Sequence, residues 1–274
     1  MMFRKILEDG TTVTTINTIG IISDAMEMTL TDLHTHILPG VDDGAKDLEA
    51  SLEILRKQKK SGVERVALTS HFYPMREELQ DFLDRRQRAY EELIYAWDVD
   101  TMPQLRLGAE VHYSSSIADM DLRKLSLAQS DYLLVELSDT MVPAHIEQVL
   151  KIILSQGITP ILAHVERCAY FMEDPSKLLH LIELGALAQI TTRALHNKRR
   201  QKFAEICLQK DVAQIIASDV HGIWELKTGL GALKESLSGG TIERAEAFAR
   251  AVWDNTPLPV FEPEPIKRKL FGYA

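Results

Sequence analysis

Short apolar runs alternate with longer amphipathic stretches along most of this chain. The runs cover residues 30–33, 65–69, 105–109, 132–137, 159–163, 187–190 and 214–217. Short runs rich in leucine and β-branched residues, bounded by polar residues, are typical of buried parallel strands. The stretches between them repeat apolar residues at helical spacing, as Leu48, Leu52 and Leu55 do behind a capping Asp47. The alternation predicts an α/β fold with a parallel sheet.

The number of strand–helix units predicts how the sheet is arranged. About seven units favour a closed or nearly closed barrel, in which the chemistry lies at the carboxyl ends of the strands. The units occupy residues 30–256. Residues 1–29 form an N-terminal arm of unknown role, for which an extra strand, a hairpin and a loose arm all stay open. Four prolines between residues 257 and 265 predict an irregular C-terminal tail over residues 257–274.

Composition narrows the classes of protein. The chain has 274 residues, of which 45% are hydrophobic and 26% charged, as in ordinary globular proteins. A net charge of −9 argues against nucleic-acid binding and against a basic membrane-binding face. No apolar run approaches the roughly 18 residues of a spanning helix, and no signal peptide is expected. Cys168 and Cys207 form no C-x-x-C pair, so we expect a cytoplasmic protein.

Histidines and carboxylates follow the predicted strands. The residues in question are His34, His36, His71, Glu110, His164, Asp219 and His221. A single histidine at a strand end is more often a satisfied polar residue than a ligand, but in a barrel all of these ends meet on one face. Their joint placement therefore predicts a metal site. His145, His180 and His196 lie on helical segments and are expected to be ordinary, and His112 is left open between site periphery and a solvated strand end.

The spacing of these residues supports metal binding. In His34-Thr35-His36 and in Asp219-Val220-His221 the two outer side chains lie on the same side of an extended chain. Imidazole and carboxylate together suit Zn, Mn, Fe or Co better than Ca. A bridging carboxylate such as Glu110 would hold two metals close together, as in phosphoryl-transfer sites. The turn Asp42-Asp43-Gly44 follows the first strand, so either aspartate could add a ligand.

Residues 32–45, which read D-L-H-T-H-I-L-P-G-V-D-D-G-A, resemble the first motif of a known family. That family is the bacterial capsule-biosynthesis (CpsB/CapC-type) tyrosine phosphatases of the polymerase-and-histidinol-phosphatase (PHP) superfamily. The superfamily signature is only H-x-H, and the L-P-G-x-D-D-G extension is far more specific to the tyrosine phosphatases. Residues 68–71, 108–110, 163–167 and 217–221 resemble the later motifs in the same order, the last two corresponding to A-H-P-E-R and S-D-x-H. The resemblance covers about residues 30 to 256.

The resemblance implies a distorted (βα)7 TIM-like barrel, the PHP fold, with a trinuclear metal site at the carboxyl ends of the strands. The metals would be Mn²⁺, with Fe or Zn also suited to these ligands. His34, His36, Glu110 and Asp219 would bind the first metal. Glu110 would bridge to a second metal that His164 also binds, and Asp42, His71 and His221 would bind a third. Arg167 would bind phosphate, which makes Arg167, Glu110 and Asp219 the catalytic set.

The activity implied is that of a metal-dependent, cysteine-independent protein-tyrosine phosphatase in which a metal-bound hydroxide attacks the phosphate. Its partner would be a phosphotyrosine-bearing protein, namely a bacterial tyrosine kinase in capsule or exopolysaccharide regulation. The alternatives are a small-molecule phosphatase such as histidinol-phosphatase and a non-catalytic metal-binding regulatory module. Cysteine-dependent phosphatases need C-x5-R, but Asp174 and Ala213 occupy the sixth positions after Cys168 and Cys207.

The chain departs from the family pattern at three places. Val165 replaces the proline of A-H-P-E-R, and the second motif reads Ser70-His71-Phe72 instead of P-H-H. A second arginine is usual shortly after S-D-x-H, where this chain offers Lys227. A lysine cannot clamp phosphate in a bidentate manner, so its role as a substitute stays open. The sequence does not define the oligomeric state.

Overall fold

The computed structural model describes residues 2–6, 12–16, 28–233, 237, 239–269 and 272–274. Its strands are β1 (Met2–Ile6), β2 (Thr12–Ile16), β3 (Leu30–Asp32), β4 (Val63–Leu68), β5 (His71–Phe72), β6 (Gln104–Leu107), β7 (Glu110–His112), β8 (Tyr132–Glu136), β9 (Thr159–Leu162), β10 (Leu187–Thr191), β11 (Ile215–Ala217), β12 (Arg268–Lys269) and β13 (Gly272–Tyr273). Strands β3 to β11 are parallel and form two sheets, with the orders β11-β10-β9-β8-β7-β5 and β3-β4-β6.

The two sheets continue into one another and curl round. Strand β4 leads into β5 across residues 69–70, and β6 leads into β7 across residues 108–109. Beyond β3 and β11 the chain segments also meet, because the Asp219 N–H donates to the His34 carbonyl at 2.8 Å and the His36 N–H donates to the Val220 carbonyl at 2.9 Å. These bonds bring the first and last parallel strands together. The predicted α/β fold with a parallel sheet is confirmed.

Helices cover the outside of the curled sheet. They are α1 (Leu48–Lys60), α2 (Leu79–Tyr95), α3 (Ile146–Ser155), α4 (Ala169–Glu173), α5 (Pro175–Glu183), α6 (Gln201–Gln209), α7 (Leu230–Leu233) and α8 (Gly239–Asp254). Short 3₁₀ helices lie at Ser115–Asp119, Leu122–Lys124, Leu127–Gln129, Val165–Arg167, Thr192–His196 and Ile223–Thr228. Helix α1 begins where its sequence predicts, since the Asp47 side chain accepts a hydrogen bond from the Ala50 N–H at 2.9 Å.

Alternate strand residues point to opposite sides of the sheet. Leu134, Ile161, Leu187 and Ile215 point inward and pack together with Trp253 of helix α8. Burial of such a side chain contributes about 1.5–3 kcal/mol relative to exposure. Since α8 packs against β3 and β11, it closes the interior at one end, and the carboxyl ends of the strands are left for the site at the other.

The two termini carry short antiparallel pairs. Strand β1 pairs with β2, which matches the hairpin alternative for part of the N-terminal arm, while residues 1, 7–11 and 17–27 lie outside the described residues. In the C-terminal tail, β12 pairs with β13 after an irregular segment. Among the described residues, none of the helices combines the length and apolar character that a membrane crossing requires.

Candidate metal centre

The carboxyl ends of the parallel strands bring together the side chains that the sequence singles out. His34 and His36 follow β3, His71 begins β5 and Glu110 begins β7. His164 follows β9, while Asp219 and His221 follow β11. His34, His36, Glu110, His164 and Asp219 are at most 1% exposed. Buried imidazoles and carboxylates at this density require either mutual hydrogen bonds or a cation.

Four ligand atoms form the tightest group. His34 Nε2 lies 3.1 Å from His36 Nε2, 3.1 Å from Glu110 Oε2 and 3.3 Å from Asp219 Oδ1. His36 Nε2 lies 3.2 Å from the same Glu110 oxygen and 3.3 Å from the same Asp219 oxygen. A regular tetrahedron with edges of this length has its centre about 2 Å from each corner, which is the usual distance from Zn to imidazole nitrogen or carboxylate oxygen. The donor set therefore fits one divalent transition-metal ion.

Unpartnered buried atoms lead to the same conclusion. Glu110 Oε2 accepts no hydrogen bond from the described residues, although three imidazole nitrogens lie within 3.2 Å of it. The Nδ1 atoms of His71 and His164 are also buried without a hydrogen-bond partner among those residues. A buried polar atom left in this state costs about 1–3 kcal/mol, which a bound cation would offset.

The electrostatics of the site keep its carboxylates ionised. Burial alone would raise the pKa of Glu110, but His34, His164 and His36 outweigh it and hold that pKa well below its ordinary value. Burial likewise opposes ionisation of Asp219, but His34, His36 and Arg167 lower its pKa well below the ordinary range. Both carboxylates are therefore available as ligands at neutral pH.

A second group of ligand atoms lies beside the first and includes Glu136, which was not predicted from the sequence. His71 Nδ1 lies 3.0 Å from Glu110 Oε2 and 3.9 Å from Glu136 Oε2. His164 Nε2 lies 2.8 Å from Glu110 Oε1 and 3.7 Å from Glu136 Oε1. Glu136 ends β8, so the available signal was its place at the end of the fourth apolar run, where no histidine draws attention to it.

A third group contains Asp43 where the sequence analysis expects Asp42. Asp43 Oδ1 lies 3.6 Å from the Nε2 atoms of both His71 and His221, and His36 completes the group. The Asp42 carboxylate instead lies 2.9 Å from His36 Nδ1 and accepts hydrogen bonds from the backbone N–H groups of His71 at 3.0 Å and Gly44 at 3.1 Å. Asp42 thus orients His36 in this structure and belongs to none of the ligand groups.

Two arginines flank the metal-ligand groups. Arg167 and Arg193 both contact Asp219 Oδ2, the latter at 3.0 Å, and Arg193 also pairs with Glu225. They share a cavity of about 530 Å³, which is lined by Arg167, Thr191, Arg193, Ala194, Asn197, Arg200, His221 and Glu225. Arg193 is not among the residues predicted from the sequence, although it follows β10 as the other site residues follow their strands. Lys227 is exposed and does not line this cavity.

The remaining histidines and the cysteines lie away from the ligand groups. His112 Nδ1 contacts Glu136 Oε2 at 3.0 Å, which places His112 at the periphery of the site. His145, His180 and His196 are exposed. Cys168 and Cys207 are buried free thiols, and burial raises the pKa of Cys168 to about 12.

The chain matches the family described as "Capsular polysaccharide synthesis, CpsB/CapC" over residues 30–236. This protein therefore belongs to the CpsB/CapC family. It is 29% identical over 255 residues to the tyrosine-protein phosphatase YwqE of Bacillus subtilis, an alignment that covers 88% of this chain and 99% of that protein. It is also 29% identical over 211 residues to the tyrosine-protein phosphatase CpsB of Streptococcus pneumoniae, which covers 70% of this chain and 83% of the relative.

A solved structure supports the same relationship. It comes from work on YwqE and CpsB that describes them as unique metal-dependent tyrosine phosphatases. It superposes with a TM-score of 0.76 at 26% identity and covers 87% of this chain and 100% of that chain. The predicted family membership is confirmed.

Proposed function

We propose that this protein is a metal-dependent protein-tyrosine phosphatase that does not use a cysteine. The observation that carries the proposal is the buried group of His34, His36, Glu110 and Asp219, whose ligand atoms surround one cation-sized space beside two arginines. Metal ligands next to a cationic cavity suit the metal-assisted hydrolysis of a phosphomonoester. The related YwqE and CpsB, which carry the name tyrosine-protein phosphatase, support the substrate class.

The curled sheet is proposed to be a distorted (βα)7 barrel. When β4 with β5 and β6 with β7 are each counted as one interrupted strand, the parallel segments amount to seven strands within the described residues. The hydrogen bonds between residues 34–36 and 219–220 support closure between the first and last of these strands. This arrangement places all the proposed ligands at one end.

We assign the ligands to as many as three divalent cations. Mn²⁺ is the proposed ion, and Fe or Zn would also suit the nitrogen and oxygen donors. Glu110 would bridge the first and second ions, as the separate contacts of its two oxygens support. For the third ion we propose Asp43 with His71 and His221, and Asp42 as the residue that orients His36. The proposed ligands are His34, His36, Asp43, His71, Glu110, Glu136, His164, Asp219 and His221.

The chain's own residues would hold the phosphate. When bound, divalent cations lower the pKa of water and neutralise phosphate oxygens. Arg167 and Arg193 point at the same Asp219 oxygen, so a phosphate that enters between them would receive donors from both guanidinium groups. The phenol of tyrosine has a pKa of about 10, so it can leave with little help from an acid.

A second cavity supports a peptide substrate over a small phosphate ester. It measures about 610 Å³ and lies on the other side of the ligand groups, where His112 lines it. Tyr73, which stacks on His71, and the exposed Met75, Met141 and Val142 form an apolar wall with room for an aromatic side chain and its neighbours. We propose a bacterial tyrosine kinase of the capsule or exopolysaccharide system as the source of this peptide. Both cysteines are free thiols, and a cytoplasmic location stays our prediction.

The test compares hydrolysis of a phosphotyrosine peptide with that of histidinol phosphate. Both would be measured after chelation and again with added Mn²⁺. Metal-dependent turnover of the peptide alone is the expected result. Turnover of histidinol phosphate alone would contradict the proposed substrate, and no turnover of either with any metal would favour a non-catalytic metal-binding module.

A further inference from the structure

A third cavity adjoins the one that contains Arg193. It also measures about 530 Å³ and is lined by Asp139, Thr140, Arg167, Ala169, Met172, Asn197, Arg199 and Arg200. Arg167, Asn197 and Arg200 line both cavities. The two cavities therefore form a continuous trough that begins at Arg167 and His221, beside the metal ligands, and extends outward to Arg199.

The outer part of this trough has an excess of positive charge. Among the described residues, no hydrogen bond or ion pair reaches the guanidinium groups of Arg199 and Arg200. Of the two anionic side chains in the trough, Glu225 is paired with Arg193 and accepts a hydrogen bond from the His221 N–H at 2.6 Å. Asp139 lines the outer part, where its single negative charge faces the two positive charges of Arg199 and Arg200. Residues 198–202 read K-R-R-Q-K in a chain whose net charge is −9. The trough is thus a local positive region on an acidic protein.

The backbone holds these arginines in place. The Asn197 side chain accepts a hydrogen bond from the Arg199 N–H at 3.0 Å, and the Asn197 carbonyl accepts one from the Arg200 N–H at 2.9 Å. Helix α6 begins directly afterwards at Gln201. The two side chains therefore extend from an anchored turn, so that only their own rotamers, and not the backbone, need to be ordered when an anion binds.

We propose that the trough binds a second anionic group of the same peptide, namely a carboxylate or a phosphate a few residues from the phosphotyrosine. This inference rests on the proposed function and specifies its substrate as an acidic phosphotyrosine peptide. Guanidinium groups form bidentate hydrogen bonds with both carboxylate and phosphate, so the two anions share the same recognition. The phosphotyrosine would lie at the inner end, beside Arg167, and the second anion at Arg199 and Arg200.

The test measures binding of three labelled peptides to the Mn²⁺-loaded protein by fluorescence anisotropy. Each peptide carries a non-hydrolysable phosphonate analogue of phosphotyrosine. One has neutral flanking residues, one has glutamates on both sides, and one has a second phosphonate residue. The comparison includes the wild type, Arg199→Gln with Arg200→Gln, and the matched control Arg56→Gln with Arg88→Gln. The control removes two exposed guanidinium groups on α1 and α2 that line neither cavity.

The wild type and the control are expected to bind the anionic peptides about 3- to 10-fold more tightly than the neutral one, as for two exposed ion pairs. The advantage should shrink in about 0.5 M NaCl, where exposed charges are screened. In the variant that lacks both Arg199 and Arg200, the affinity advantage of the anionic peptides should fall below about two-fold. Tighter binding of the doubly phosphonylated peptide than of the glutamate peptide would assign phosphate as the preferred second anion, and equal binding would assign either anion.

Equal affinity of the wild type for all three peptides would overturn the inference. An advantage that survives in the Arg199 and Arg200 variant would overturn it as well. Because the phosphonates are not hydrolysed, these outcomes do not depend on turnover. A failure to bind a second anion in the trough is therefore distinguishable from a failure of the proposed phosphatase activity. The hydrolysis of a neutral phosphotyrosine peptide tests that activity separately.

Discussion

Buried carboxylates at the two ends of the curled sheet differ in whether protein atoms satisfy their hydrogen bonds. Near the amino end of β3, both carboxylate oxygens of Glu246 accept hydrogen bonds from Thr31, one from its N–H at 2.7 Å and one from its hydroxyl at 2.9 Å. At the carboxyl ends of the strands, Glu110 Oε2 lies among three imidazole nitrogens, yet no described residue donates a hydrogen bond to it.

The difference distinguishes buried polar groups that stabilise the fold from those that serve the metal centre. Where protein atoms satisfy one another, as Thr31 and Glu246 do, the buried charge belongs to the fold. Where buried donors and acceptors converge on one point without satisfying one another, a bound cation would offset the cost of their burial. The metal centre is therefore expected to be sensitive to loss of a cation, and the Thr31–Glu246 pair is not.

The largest effect is expected from removal of a metal ligand. Asp219→Ala or His36→Ala should lower turnover more than about 100-fold. Mutation of residues that only hydrogen-bond to metal ligands already lowers metal affinity or activity about 10- to 100-fold. The curled sheet should still form, because neither side chain belongs to the apolar interior. Steady-state kinetics with circular dichroism would check both points, and wild-type rates in a folded variant would contradict the ligand assignment.

A smaller effect is expected from the arginines beside the cluster. Arg167→Ala and Arg193→Ala should each weaken inhibition by inorganic phosphate about tenfold, which is near the lower end of the range for a hydrogen bond to a charged group. Lys227→Ala is the matched control and should change inhibition less than about two-fold, since an exposed charge contributes little. If phosphate inhibition weakened strongly in Lys227→Ala and not in Arg193→Ala, Lys227 would be the second phosphate-binding residue instead of Arg193.

Substitution of Glu246, at the opposite end of the sheet, should change the stability of the fold and not the activity. Burial raises the pKa of Glu246 above its ordinary value, despite the hydrogen bonds from Thr31. The folded state therefore binds this proton more tightly than the unfolded state, so its contribution to stability is present at low pH and is lost as pH rises through the folded pKa. Glu246→Gln should gain stability relative to the wild type between pH 5 and pH 8.

Urea unfolding at the two pH values measures this change. Glu246→Ala serves as the contrast, because it leaves the Thr31 N–H without its acceptor and should cost about 1–3 kcal/mol at both pH values. A relative stability of the glutamine variant that falls as pH rises would contradict the sign derived from the buried carboxyl group.

The smallest effect is expected from the cysteines. Cys168→Ala with Cys207→Ala should leave turnover within about two-fold of the wild type, since a thiol with a raised pKa is a poor nucleophile at neutral pH. Kinetics on the phosphotyrosine peptide would check this. Loss of turnover in a folded double variant would reopen a thiol mechanism.

The sequence predicted the α/β fold and the strand-end histidines because both depend on simple periodicities. Apolar runs mark the strands, and residues that follow parallel strands gather on one face whatever the loops do. His34 and His36 are examples, since their alternation alone places both on one side. The interruption of two strands, at residues 69–70 and 108–109, has no such periodic signal.

The choice between Asp42 and Asp43 depends on loop conformation, which hydrophobic periodicity does not predict. Asp42 and Asp43 are adjacent in one turn, and the backbone there decides which carboxylate meets the histidines. A side chain at Gly44 would place its Cβ 2.0 Å from the His36 carbonyl oxygen, so the turn can lie this close only because the residue is glycine. Glu136 and Arg193 were missed because single polar residues at strand ends are ordinary.

The most direct measurement is the thermal unfolding of the chelated protein with and without added Mn²⁺. Saturating metal at about 100 times its dissociation constant should stabilise the fold by about 2.7 kcal/mol, which corresponds to a rise of roughly 5–10 °C in Tm for a chain of this size. The same rise is expected in Glu246→Gln and should be greatly reduced in Asp219→Ala. Equal Tm values with and without metal in the wild type would contradict the claim that this cluster is built for cations.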